Sequence, residues 1–169
     1  MSESFTIETI TPENYKNASF TPAQVADFLY KHLEQFGDPK EQIIECLNYA
    51  LGITEHRRGF VLTASKPAVN IEEHDSGDLH TDDIQPGEIL GTVVVCETGM
   101  SGYVPENLLV YIAVDSNLRG SGIGKALMEK AVRTARGDIA LHVESDNPAR
   151  RLYERIGFTN KYLEMRYRK

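Results

Sequence analysis

A short glycine-rich segment carries the clearest chemistry in the sequence. Residues 119–125 read Arg-Gly-Ser-Gly-Ile-Gly-Lys, and an apolar pattern of helical period follows at once. Glycine lets a backbone come close to a ligand, because no Cβ atom stands in the way. The first amides of the following helix point outward and, together with the helix dipole, attract an anion. Because Arg119 and Lys125 add positive charge, the segment predicts a diphosphate site that needs no bound metal.

Two common phosphate-binding motifs do not match this segment. A Walker A loop would need a glycine and a hydroxyl residue where the chain has Arg119 and Ala126. The dinucleotide fingerprint Gly-x-Gly-x-x-Gly would need a glycine where the chain has Lys125 or Leu127. The spacing that does fit is Arg-x-x-Gly-x-Gly over residues 119–124. A plain tight turn that enters a helix is the alternative interpretation.

The elements on either side of the segment predict where it lies in the fold. Residues 107–114 are apolar almost throughout, which is typical of a strand buried on both faces. The apolar residues of 123–135 recur at helical spacing, and residues 139–143 favour another strand. A strand–helix–strand unit implies two parallel strands, with the glycine segment at the end of the first.

The rest of the chain predicts a single domain over residues 1–169. Upstream we expect a strand at 4–10, helices that begin at Thr21-Pro22 and Asp38-Pro39 and end at Gly37 and Gly52, and strands at 59–64 and 88–97. Downstream we expect a helix between Asn147-Pro148 and Gly157, then one or two strands at 158–168. The polar and acidic residues 65–87 predict a loop within the domain.

Composition narrows the class of protein. The net charge of −7 argues against nucleic acid as a partner, because phosphate binding needs a basic surface, and it suits a cationic substrate. The chain has no apolar run long enough to span a membrane and no secretory signal at its start, so we expect a cytoplasmic protein. Cys46 and Cys96 lie far apart and are expected to be reduced thiols. The acidic residues 72–83 include two histidines but lack metal-ligand spacing, so no metal is expected.

Two stretches together resemble the GCN5-related N-acetyltransferase (GNAT) family. Residues 111–128, YIAVDSNLRGSGIGKALM, look like its motif A, whose loop is Arg/Gln-x-x-Gly-x-Gly/Ala. Residues 140–158, ALHVESDNPARRLYERIGF, are similar to its motif B, in which Asn precedes Ala/Arg, Tyr and Gly-Phe. The resemblance implies an α/β fold of the α+β type. It has one mixed sheet of six to seven strands, about four helices, and a parallel pair splayed around acetyl-CoA.

The resemblance also implies which residues hold the cofactor. The main chain of Ile112, Ala113 and Val114 would hydrogen-bond the pantetheine arm as an added strand would, although plain sheet core is compatible with the same residues. Asn147 would contact the same arm, with helix capping as the alternative. The diphosphate would be held, chiefly through amides, by Arg119, Gly120, Ser121, Gly122, Ile123, Gly124 and Lys125.

Two residues acquire catalytic roles from the resemblance. Tyr153 would contact the cofactor and donate a proton to the departing thiolate, with a core tyrosine as the alternative. Glu106 stands where some protein-acetylating members carry a general base, with a solvated strand-end carboxylate as the alternative. Glu97 and a chain of waters are other candidates for the base. For His142 and Glu144 we expect core or surface roles.

The implied function is transfer of an acetyl group from acetyl-CoA to a primary amine by direct attack in a ternary complex. A non-catalytic acyl-CoA-binding module of the same fold, or a transferase that uses another acyl-CoA, stays open as an alternative. The acceptor is a small molecule or a protein amine, and the acidic composition favours a cationic one. Relatives often dimerise, so a homodimer also stays open.

Overall fold

The computed structural model describes residues 4–67 and 87–169. Short 3-10 turns lie at Tyr15–Asn17, Glu34–Phe36 and Ser116–Leu118, and most of the loop expected at 65–87 falls outside the described residues. Within these two ranges no helix is both long and apolar enough to cross a bilayer. The elements follow in the order β1 (Thr6–Ile10), α1 (Pro22–His32), α2 (Lys40–Ala50), β2 (Gly59–Ser65), β3 (Ile89–Glu97), β4 (Asn107–Val114), α3 (Ile123–Thr134), β5 (Ile139–Leu141) and α4 (Arg150–Ile156).

The strands form one mixed sheet in the order β1-β2-β3-β4-β5. The first three neighbouring pairs are antiparallel, although α1 and α2 lie between β1 and β2 in the chain. β4 and β5 are parallel, and the chain crosses from one to the other through α3. The parallel pair that the strand–helix–strand pattern predicts is thereby confirmed.

Helices cover both faces of the sheet, and each face has its own core. α1 and α2 pack on one face through residues such as Leu29, Ile43 and Leu47. α3 and α4 pack on the other face through residues such as Leu127 and Tyr153. The central strand β3 contributes side chains to both cores, which explains why its sequence is apolar without alternation.

Helix boundaries follow the local signals closely at the start of α1 and less so at its end. Thr21 Oγ1 accepts a hydrogen bond from the Gln24 amide (3.3 Å), and Gln24 Oε1 accepts one from the Thr21 amide (2.8 Å). The helix was expected to run to Gly37, but it ends at His32. Glu34 adopts a left-handed φ of 53°, which breaks the helix there.

The predicted number of strands, six to seven, is wrong for the described chain, which has five. The missing strands are those expected at 158–168, where the structure has no regular element. The sequence Leu-Glu-Met-Arg-Tyr-Arg alternates as a strand does, but its backbone finds no partner, and Leu163, Met165 and Tyr167 are 85%, 91% and 88% exposed. Because a strand is stable only when paired, alternation alone does not produce one.

Candidate active site

β4 and β5 are paired along only part of their length. The pairing runs from Asn107 opposite Ile139 to Leu109 opposite Leu141, and β5 ends there. β4 continues to Val114 and stays paired with β3 on its other edge. A gap therefore opens between residues 110–114 of β4 and residues 142–146 of the following segment; we call this gap the wedge.

A β-bulge lies where the two strands part. Val94 of β3 is opposite Tyr111 and Val95 is opposite Leu109, so Val110 is an extra residue in β4. A bulge bends its strand and increases the local twist, and bulges are frequent beside active sites. The extra residue directly follows Leu109, the last residue of β4 that pairs with β5, and the bend coincides with the opening of the wedge.

Beyond the bulge, alternate residues of β4 direct their main chain toward the wedge. The Asp115 amide donates to the Leu90 carbonyl (2.9 Å), and in an antiparallel pair such bonds recur at every second residue. Ala113 therefore faces β3, and its carbonyl lies 3.2 Å from where a Cβ of Gly91 would be. Ile112 and Val114 face the opposite way, toward the wedge. Of the three residues expected to bind pantetheine through the main chain, the geometry favours these two.

The glycine segment follows at the end of β4 and leaves open space above it. Gly120 and Gly122 adopt left-handed φ values of 82° and 93°, which favour glycine. A Cβ added at either position would meet no atom within 4 Å. The segment is therefore shaped by its backbone and not by packing of side chains, and the space that side chains would fill is available to a ligand.

Unpaired amides point into that space. The first N–H that bonds within α3 belongs to Ala126, which donates to the Gly122 carbonyl (3.0 Å). The amides of residues 123–125 precede it and have no carbonyl to reach within the helix. The Ser121 amide is already used, because it donates to the Leu118 carbonyl (3.2 Å). An anion at this helix start would be held by amides of residues 122–125.

Gly124 has a different role from the other two glycines of the segment. Its added Cβ would lie 3.4 Å from Leu152 Cδ2 and 3.5 Å from Val114 Cγ2. The first turn of α3 thus packs closely on α4 and on the end of β4. This close packing places the free amides of the helix directly beside the wedge.

The two cations of the segment are engaged at the protein surface. Arg119 Nη2 lies 3.2 Å from Glu34 Oε1 and 3.3 Å from the His32 carbonyl, at the end of α1. Lys125 Nζ lies 3.8 Å from Glu129 Oε1 in an i,i+4 pair. Exposed pairs of this kind are weak, about 0.2–1 kcal/mol. A bound diphosphate can therefore recruit either cation at small cost.

Buried His32 links the glycine segment to α1. Its Nδ1 accepts from the Ser116 amide (3.3 Å), and its ring packs on Phe28 with centroids 4.4 Å apart. Burial lowers the pKa of His32, and the nearby Asp115 carboxylate only partly opposes that effect. The neutral imidazole is a fixed acceptor for the turn that leads into the segment.

Tyr153 lies on α4 in the core that also contains Ile112, Val114 and Val143, which flank the wedge. The side chain is 7% exposed, and its ring centroid is 6.2 Å from that of Phe158. Burial raises the pKa of Tyr153 to about 12. The hydroxyl has no hydrogen-bond partner among residues 4–67 and 87–169, so it remains a protonated donor that a ligand can use.

Asn147 precedes α4 and fixes its entry. Its Oδ1 accepts from the Ala149 amide (2.9 Å), an Asx turn, and the helix begins at Arg150. This turn begins two residues before the N-cap position, Ala149, which has no side-chain capping bond, so Asn147 stabilises the entry to α4 without being its N-cap. The side-chain Nδ2 is not needed for it and stays a candidate donor to the pantetheine arm.

Glu106 lies at the other end of the paired strands from the wedge. It precedes Asn107, and its Oε2 accepts from the Asp138 amide (2.8 Å). That hydrogen bond lowers the pKa of the Glu106 carboxyl, which makes it a weaker base. Glu97 is opposite Asn107, so it also lies at the far end, with its Oε1 3.9 Å from Arg58 Nε. Neither candidate base is placed at the wedge, and base function for Glu106 stays a prediction.

One hydrogen-bonded pair of residues beside the bulge was not predicted from the sequence. The Tyr111 hydroxyl donates to Asp38 Oδ2 (2.7 Å), although the two residues are 73 positions apart. The local sequence predicts only that Asp38-Pro39 begins a helix and that Tyr111 belongs to a buried strand. No local signal connects them.

The fold agrees with comparisons to known proteins. Residues 78–160 match a family model described as an acetyltransferase (GNAT) domain. The resemblance of the glycine segment and motif B to the GNAT family is confirmed over these residues. It is 34% identical, over 88 residues, to the 5-NmdU N-acetyltransferase of Pseudomonas phage PaMx11. The match covers 51% of this chain and 60% of that protein, so the chain spans well under the full length of this relative.

Solved structures share the fold over nearly the whole chain. The aminoglycoside N-acetyltransferase AAC(6')-Iy, solved in complex with CoA, superposes with a TM-score of 0.62 at 13% identity and covers 98% of this chain and 95% of its own. The ribosomal-protein-alanine N-acetyltransferase from Brucella melitensis biovar Abortus 2308 has a TM-score of 0.56 at 19% identity, with 98% and 100% covered. At these identities the likeness shows the fold.

The glycine segment yields a prediction with a matched control. Gly122→Ala should weaken CoA binding about tenfold or more, because the Cβ enters the open space and the left-handed backbone must shift. Gly99→Ala carries a similar strain, since Gly99 also has a left-handed φ (73°) and open space, but it lies in the β3–β4 turn. Isothermal titration should show wild-type affinity for Gly99→Ala. Equal affinities of the two variants for CoA would contradict the assignment of the glycine segment as the diphosphate site.

Proposed function

We propose that the chain is an N-acetyltransferase that moves the acetyl group of acetyl-CoA to a primary amine. The observation that carries this proposal is the unpaired edge of β4 beside the free amides of α3. A thioester-bearing arm can pair with Ile112 and Val114 while its diphosphate contacts residues 122–125. The match of residues 78–160 to the GNAT family model supports acyl transfer as the use of this site.

Main-chain amides at the wedge supply electrostatic stabilisation. An amide N–H of Ile112 or Val114 that faces the wedge can donate to the thioester carbonyl oxygen as negative charge develops there. Such fixed donors are effective because they need no reorganisation during the reaction. Because β3 holds the other edge of the strand, these N–H groups are rigidly oriented.

The reaction is a direct transfer. The neutral amine nitrogen attacks the carbonyl carbon, a C–N bond forms, the C–S bond breaks, and the proton that nitrogen loses ends on the released thiol.

A cysteine intermediate has no support in the structure. Cys46 and Cys96 are free thiols with Sγ atoms 3.7 Å apart, and the hydrogen bond with Cys96, together with burial, raises the pKa of Cys46 well above its usual range. A thiol held protonated is a poor nucleophile.

Tyr153 stabilises the departing sulfur in this scheme. With a pKa of about 12 the phenol is a weaker acid than an ordinary thiol, whose pKa is about 8.5. Complete proton transfer from Tyr153 would therefore be unfavourable. The hydroxyl instead donates a hydrogen bond to the developing thiolate and keeps its proton, and the net proton comes from the attacking nitrogen.

An amine panel tests the proposal. The wild-type protein is mixed with acetyl-CoA and with a polyamine, an aminoglycoside, a peptide with a free N-terminus, and 5-NmdU, the compound in the phage relative's name. We expect thiol release that depends on one of these amines, with the acetylated amine seen by mass spectrometry. Binding of CoA without release by any amine would contradict catalysis and favour an acyl-CoA-binding module. Propionyl- and succinyl-CoA in the same assay define the acyl preference.

Tyr153→Phe tests the role of the hydroxyl. Removing it should lower kcat about 100-fold at saturating acceptor and acetyl-CoA, because the thiolate loses its donor, while the Kd for CoA stays close to wild type. The wild-type kcat should not fall between pH 8 and about pH 10 through ionisation of this residue, since burial keeps its pKa at about 12. Tyr103→Phe, at an exposed tyrosine in the β3–β4 turn, is the control. An unchanged kcat for Tyr153→Phe would rule out the Tyr153 hydroxyl as the donor to the departing thiolate.

A further inference from the structure

The loop between α1 and α2 brings a carboxylate to the bulge of β4. Asp38 lies in this loop, immediately before Pro39 and the start of α2. Its Oδ2 accepts a hydrogen bond from the Tyr111 hydroxyl (2.7 Å). Tyr111 is one of the two residues that share a partner position at the bulge, where β4 leaves β5. The carboxylate is thus anchored at the point where the wedge opens.

Tyr111 is well suited to hold Asp38 in place. Its side chain is 6% exposed and packs in the core beneath α1 and α2, while its hydroxyl reaches the exposed carboxylate. Burial and the hydrogen bond to Asp38 raise the pKa of Tyr111, so its hydroxyl remains a donor. One hydroxyl occupies one of about four acceptor positions on a carboxylate. The remaining positions are available to a ligand.

Asp38 has no cationic partner within the described chain, unlike two other acidic residues near it. Asp27 on α1 pairs with Lys40, and Glu34 in the same loop pairs with Arg119 (3.2 Å). Asp38 makes no ion pair within 4.0 Å in residues 4–67 and 87–169. The loop therefore neutralises its other carboxylate and leaves one free negative charge at the opening of the wedge.

The two faces of the sheet differ in how β5 is covered near the wedge. On the opposite side, α3 and α4 cover the strands, and Ile139 and Leu141 of β5 pack in their core. Among the described residues, the core beneath α1 and α2 includes no residue of β5. Asp38 lies on this less covered side, where it contacts Tyr111.

We propose that Asp38 binds the ammonium group of the acceptor at the entrance of the wedge, and that Tyr111 positions the carboxylate for it. This inference rests on the proposed function and narrows its substrate class to amines that arrive as cations. Asp38 acts in recognition: the ammonium is held beside the wedge and releases one proton to solvent water, and the neutral amine then attacks. The acidic net charge of the chain favours the same class of acceptor.

Steady-state kinetics of Asp38→Asn test the inference, with the best amine of the panel as acceptor. We expect the KM for the amine to rise about tenfold, because a charge-assisted hydrogen bond is lost, while the KM for acetyl-CoA and the Kd for CoA stay at wild-type values. The amine KM of wild type should rise with ionic strength, and that of Asp38→Asn should rise less. Tyr111→Phe should raise the amine KM about threefold, and Asp38→Glu should recover part of the loss.

Glu41→Gln is the matched control, because Glu41 is an exposed acid in the first turn of α2 that makes no ion pair in the described ranges. It removes the same charge three residues further along the chain and should leave the amine KM unchanged. A wild-type amine KM for Asp38→Asn, or an equal rise for Glu41→Gln, would overturn the inference while acetyl transfer by the wild type still stands. Absence of transfer by the wild type to every amine would overturn both proposals.

Discussion

The site depends on backbone hydrogen-bonding groups in β4 that pair with nothing in the described chain. Peptide N–H and C=O groups in a protein interior nearly always have partners, and an interior strand normally finds them on both edges. β4 has β3 along its whole length but has β5 only as far as Leu109. The exposed edge beyond the bulge is a strand that lacks a neighbour. A ligand with alternating amides supplies what the missing strand would.

The elements around this edge place the proposed diphosphate site at its end. β4 leads through the turn of residues 116–118 into the glycine segment, and Gly124 lets the first turn of α3 pack against Val114 and Leu152. The strand edge and the helix start are therefore fixed relative to each other by direct packing. Arg119 and His32 join the same segment to the end of α1, on the other face of the sheet. Through these contacts, and through Asp38 on Tyr111, the amine side and the cofactor side share one rigid strand.

Local signals predicted most of the elements and the backbone conformation of the glycine segment. Thr21-Pro22 fixed the start of α1 through a capping box, and the glycines at 120 and 122 adopt the left-handed backbone that their residue type favours. The sequence was sufficient to predict both features because each depends only on residues that are neighbours in the chain. The bulge at Val110 had no such signal, since the uniformly apolar run of 107–114 specifies burial but not register.

Interactions between distant residues were beyond reach of the sequence. The contact of Tyr111 with Asp38 spans 73 positions, and the one of Glu106 with Asp138 spans 32. Each contact gives a residue an interaction that its local sequence does not indicate. Asp38 accepts a hydrogen bond from Tyr111 as well as preceding α2, and Glu106 accepts one from the backbone just before β5. The C-terminal residues show the converse, because alternation at 163–168 is a local pattern whose outcome depends on a partner strand.

Amide hydrogen exchange measured residue by residue by NMR, with and without CoA, tests the central claim most directly. The unpaired edge predicts that the amides of Ile112 and Val114 gain protection when CoA binds, together with those of residues 122–125. The Ala113 amide, which faces β3, should already be protected and should change little. Protection confined to other strands, or an unchanged exchange rate at Ile112 and Val114 in the saturated complex, would contradict this account of the site.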